Sequence, residues 1–139
     1  MTSTSPEGSR QGYSGTPLAR KLGITDTSRV LLDGAPAGFV LPDAPAPHQR
    51  IGRTPYDVAV LFCPDRARLA RRWPAVHAAV TPAGKLWVAW PKRASGLATD
   101  LDDGLVREHG LTHGRVDVKV CAIDATWSGL AFVVRVRDR

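Results

Sequence analysis

The chain has 139 residues, of which 43% are hydrophobic and 23% charged, with a net charge of +6. That is the size and composition of one globular domain, which excludes wholesale disorder and any need for disulfides or metal to supply a core. No apolar stretch approaches the roughly 18 residues that cross a bilayer, and the only cysteines, Cys63 and Cys121, lie in apolar runs, the pattern of reduced, buried thiols.

Residues 1–12 are polar and rich in Ser, Thr and Gly, without the apolar core of a signal peptide. They read as a flexible tail before one domain over 13–139, in a cytoplasmic protein that no membrane holds. Thr16 to Gly23 predicts a short helix, with Thr16 as N-cap, Pro17 in the first turn and Gly23 as the stop. Arg29 to Asp33 is an apolar run ending in a carboxylate, hence a buried strand. Gly34 to Pro47 holds four prolines and two glycines and predicts a surface loop.

Asp57 to Cys63 is continuously apolar after its first residue, which suits a strand covered on both faces. Pro64 ends it, and Asp65 opens a helix whose Leu69, Trp73, Val76 and Val80 recur at three- and four-residue spacing. Pro74 predicts a kink there, or two short helices. Thr81 to Gly84 predicts a turn, and Lys85 to Trp90 the next buried strand. A helix over Leu101 to His109 follows, with Thr99 or Asp100 as N-cap and Gly110 as stop. Two strands close the chain, Val116 to Ile123 and Leu130 to Arg137, joined through Asp124–Gly129. In the first, Val116, Val118, Val120 and Ala122 face one way and Asp117, Lys119 and Cys121 the other. This order predicts an α/β fold whose mostly parallel sheet of about five strands ends in an antiparallel pair.

The same order resembles the second half of a class I methyltransferase domain, a Rossmann-like fold in which two βα units precede an antiparallel pair. In that resemblance the Val30–Asp33 strand would carry the cofactor loop. Here it runs into Asp33-Gly34-Ala35-Pro36-Ala37-Gly38, without the Gly-x-Gly-x-x-Gly spacing. Only 24 residues separate Asp33 from Val58, whereas two further βα units need roughly 30 each. The ribose-binding half is therefore missing, and no cofactor is implied. At finer grain the chain resembles an uncharacterised bacterial family, DUF 3052. The resemblance rests on Gly12–Gly15 with Pro17-Leu18-Ala19, on Leu86–Lys92, Thr99-Asp100-Leu101 and Val116–Ala122, and on Trp127-Ser128-Gly129-Leu130. It implies a fold and carries over no catalytic residue.

The candidate ligand-binding stretch is Trp90 to Asp100, with Lys92, Arg93, Ser95, Gly96, Thr99 and Asp100 as its residues and Gly34 as a further one. It follows the carboxyl end of a predicted parallel strand, where open α/β sheets place ligands. Its two cations, two hydroxyls and flexible Gly can hold an anion beside a helix N-terminus. A plain strand-to-helix connection accounts for the same residues. Between Arg50 and Arg93, nine basic residues face only Asp57 and Asp65. A solvated surface explains that surplus, and so does an anionic partner. Arg66, Arg68, Arg71 and Arg72, with Trp127 in a turn, form the candidate face for a partner or for nucleic acid.

Other chemistry lacks its frame. Ser95 and Ser128 have no Gly-x-Ser-x-Gly setting. Burial would keep both thiols inert. His109 and His113 have the four-residue spacing of a helical metal pair but glycines after each, so no metal site is nominated. Three functions remain: a non-catalytic binding or regulatory module for an anionic small ligand or a protein partner, a degenerate methyltransferase-like enzyme, and a basic RNA-associated protein.

Overall fold

Four consecutive residues, Val30–Asp33 (β1), are buried on both faces, which requires a central layer with cover above and below. In the computed structural model, which describes residues 17–139, that layer is a five-stranded sheet. The further elements are Leu18–Lys21 (α1), Tyr56–Phe62 (β2), Arg66–Ala79 (α2), Val80–Pro91 (β3), Asp103–Thr112 (α3), Val116–Ala122 (β4) and Trp127–Val133 (β5). The strand order is β1-β2-β3-β5-β4. β1, β2 and β3 are parallel, and β5 runs antiparallel between β3 and β4. This is the expected small Rossmann-like α/β sheet, mostly parallel and ending in an antiparallel pair. The tail 1–12, Thr16 and the Gly12–Gly15 stretch lie outside the described residues.

Both faces are covered by what the apolar spacing demands. α2 and α3 lay Leu69, Trp73, Val76 and Val106 on one face, against Leu61, Val88, Trp90 and Phe132. Both helices belong to crossovers moving the same way along the sheet, so right-handed connection puts them on the same side. The other face receives α1, through Ala19 and Leu22, and the loop residues Phe39 and Leu41. α1 is one turn long, and it stops as predicted. Gly23 takes φ +83°, with its N–H on Arg20 O and that of Ile24 on Ala19 O, the paired bonds that close a helix end.

Several expectations are corrected. α2 is continuous through Pro74. Pro74 and Ala70, whose carbonyl loses its partner, face solvent, while Leu69, Trp73 and Val76 hold the helix down. Val80 does not extend the helical stripe; it begins β3. The predicted turn Thr81–Gly84 lies inside β3 as a bulge, five steps from Val80 to Lys85 facing two from Tyr56 to Val58. Gly110 does not stop α3 but lies buried within it, and a Cβ there would enter the Phe132 ring. In β4 the extra residue Val118 resets the alternation. Asp117 reaches Arg107 of α3, whereas Lys119 reaches Lys21 O of α1. Val118 and Val120 are left exposed. The last strand begins at Trp127 and ends at Val133, before a short 3₁₀ turn at Val136–Asp138.

No helix among the described residues is long and apolar enough to cross a membrane.

Candidate functional site

The carboxyl end of β3 opens into a groove of about 640 Å³. Its lining comes from Trp90 and Pro91 of β3, from Lys92, Arg93 and residues 97–102 of the connection that follows, from Asp103 of α3, and from Val120 of β4 and Ser128 of β5. The Lys92 N–H donates to Thr126 O at 2.8 Å, tying the exit of β3 to the β4–β5 turn. Asp124 Oδ1 holds that turn, accepting from the N–H groups of Thr126 and Trp127 at 2.8 Å each. Arg93–Ser95 then forms a 3₁₀ turn ending at Gly96 with φ +79°. Ser95 Oγ donates to Lys92 O and accepts from Leu97 N–H.

The sequence-predicted loop residues Lys92, Arg93, Thr99 and Asp100 thus meet around one groove. Ser95 and Gly96 shape the loop without lining it. The helix N-terminus expected to receive an anion is already occupied. Asp102, not Thr99 or Asp100, caps α3, its Oδ1 accepting from Leu105 N–H at 2.8 Å. Asp100 instead accepts the N–H of Arg66 at the start of α2, beside the N-cap Asp65. The starts of α2 and α3 thus carry their own carboxylates, so their dipoles are satisfied within the chain. The cations remain: neither Lys92 nor Arg93 joins an ion pair among the described residues.

Gly34 lies elsewhere, at the end of β1. The connection leaving β1 packs over the face of α1, while the one leaving β2 is α2 on the opposite face. The crevice where such connections diverge is the usual nucleotide site of an open sheet. Here it is filled. The buried Asp33 receives Arg68 Nη2 on one oxygen and Arg72 Nη2 on the other, the latter at 2.7 Å. Arg68 Nε also donates to Phe62 O. A Cβ on Gly34 would collide with the Arg68 guanidinium, so the glycine makes room for an internal ion cluster.

The arginine face is therefore divided. Arg68 and Arg72 are committed to Asp33, while Arg66 and Arg71 stay exposed. Trp127, expected in a turn with its ring available, begins β5 and is buried, edge-on to Phe62 at 5.3 Å. Its bulk is spent on the core. The Asp33 cluster was not foreseen, although a signal existed: a carboxylate closing an all-apolar strand must find a partner. Asp102, Asp103, Val120 and Ser128 as groove walls carried no local signal, because the sheet order brings them together.

Nucleophiles are muted. Burial, partly countered by the Arg68 charge, pushes the Cys63 thiol up to about 12. Burial also raises that of Cys121. His109 and His113 stack at 4.1 Å, and no group of three or more His, Cys, Asp or Glu suited to a metal occurs among the described residues.

No protein-family model and no curated protein matches the chain, so the resemblance to DUF 3052 stands as an expectation. Among solved structures, a DhpI–SAH complex aligns at 14% identity and a TM-score of 0.42, covering 66% of this chain and 55% of that one. The chain thus spans little more than half the length of that neighbour, and a likeness this slight bears on neither ligand nor activity.

Proposed function

We propose that the chain is a non-catalytic binding or regulatory module whose ligand presents an anionic group to Lys92 and Arg93. The observation that carries this reading is a groove of about 640 Å³ at the carboxyl edge of the sheet, with two cations that pair with no carboxylate among the described residues. Ser95 Oγ gives its hydrogen to a backbone carbonyl, and a thiol titrating near 12 holds almost no thiolate at neutral pH. Both favour binding over catalysis. The methyltransferase-like alternative loses its usual place to the Arg68–Asp33–Arg72 cluster. The RNA alternative loses half of its arginine face to the same cluster.

The test is the thermal unfolding midpoint with inorganic phosphate, citrate, adenosine monophosphate and a short RNA. A probe at about 100 times its Kd stabilises by about 2.7 kcal/mol, a shift of several degrees for a chain this size. The expected result is a shift from a small anion that disappears in Lys92→Ala/Arg93→Ala. A shift unchanged in that variant, or none from any small anion, contradicts the proposal.

A further inference from the structure

Five charged side chains line the carboxyl-edge groove. They are the cations Lys92 and Arg93 and the carboxylates Asp100, Asp102 and Asp103. No ion pair joins any of the five to another, or to any other described residue. Opposite charges sharing a wet groove ordinarily relax toward one another unless something holds them apart. Here the carboxylates are anchored. Asp100 and Asp102 each commit one oxygen to a helix N–H, leaving the other oxygen available, and Asp103 opens α3 itself. The cations extend from a loop pinned to Thr126. Trp90, Leu97, Leu101 and Val120 add apolar surface to the same groove.

Resting on the reading above that this groove is the binding site, we infer that its ligand is a small molecule of mixed charge. Its phosphate or carboxylate meets Lys92 and Arg93, its ammonium meets Asp100, Asp102 and Asp103, and a short apolar spacer joins the two. A purely anionic ligand gains from the two cations and is repelled by the three carboxylates that line the same groove. A zwitterion satisfies both sets of charges at once. The charge arrangement therefore sets specificity as well as affinity.

Matched probes isolate this. Calorimetric titration of the intact chain with 3-aminopropyl phosphate, propyl phosphate and propylamine varies the charge at nearly constant shape. The mixed-charge probe is expected to bind at least tenfold more tightly than either half-charged one. Asp103→Asn, which alters neither helix-capping contact, is expected to erase most of that preference while leaving propyl phosphate bound as before or better. Lys92→Gln/Arg93→Gln is expected to weaken both phosphates. Equal affinity for aminopropyl and propyl phosphate would overturn the mixed-charge inference and leave the anion-binding module standing. If neither phosphate binds, both fall.

Discussion

Asp33 closes a strand whose other residues are all apolar, and it is itself 5% exposed. Its carboxylate stays inside because Arg68 and Arg72 divide its oxygens between them. Removing one partner of such a cluster strands the remaining charges. Asp33→Ala is therefore expected to lower stability by about 2–3 kcal/mol in urea unfolding, less than a fully buried pair because the arginines keep 24% and 32% of their side-chain surface. A loss under about 0.5 kcal/mol would contradict the clamp. Gly110 is the opposite case, a residue defined by absent volume. Gly110→Ala puts a methyl group into the Phe132 ring. It should cost about 1–3 kcal/mol despite the better helix propensity of alanine, and Phe132→Leu in the same chain should recover part of the loss. A third test concerns Cys63, fully buried with its thiol near 12. It should resist a thiol reagent at pH 8 in the folded protein and react once denatured. The burial of Cys63 shows in its apolar run, but the role of Gly110 does not show in local spacing. Gly110 reads as a helix stop until Phe132, 22 positions away in the chain, is packed against it.

At the scale of elements, α2 tests how far burial overrides propensity. Its periodic apolar stripe was legible, yet Pro74 does not split it into two helices, because Leu69, Trp73 and Val76 bury both halves against the sheet. Pro74→Ala restores an N–H for Ala70 O on an exposed face. It should raise stability by about 1–2 kcal/mol, part of the roughly 3 kcal/mol helix penalty being offset by lost rigidity in the unfolded chain. The bulges in β3 and β4 escaped the sequence for a related reason. Period-two alternation assumes an unbroken ladder, and one inserted residue moves every later side chain to the other face.

The seam between α2 and α3 carries its own pH dependence. Trp73 lies stacked against His77 and edge-on to His109. Burial, then the charge of Arg115, lowers His77 from 6.5, and its Nδ1 accepts from Arg115 Nε at 2.8 Å. Burial, then His113, lowers His109, whose Nε2 is buried without a hydrogen-bond partner. For both, the unfolded chain binds the proton first, so stability is complete above the unfolded value near 6.5 and declines as pH falls from there toward the folded values. The midpoint should therefore drop between pH 7 and 5.5, and less steeply in His109→Gln. A midpoint unchanged over that range would contradict it.

For the whole molecule, the fold class was legible in the order of apolar runs, and so was the place of the Trp90–Asp100 connection at the carboxyl edge of the sheet, the edge where open sheets bind. The division of the basic surplus was not. Charge counted along a chain cannot separate Arg68 and Arg72, turned inward to Asp33, from Lys92 and Arg93, which join no ion pair among the described residues. The whole-molecule consequence is a sheet with two carboxyl-edge openings, one filled from within at β1 and β2 and one open at β3. The most direct test is amide chemical-shift mapping on the ¹⁵N-labelled chain during titration with propyl phosphate. Perturbations centred on Lys92 to Asp103, with Val120 and Ser128 following, are the predicted result. Perturbations centred on Asp33, Gly34 and Arg68 would contradict it, placing the ligand in the crevice held here to be closed.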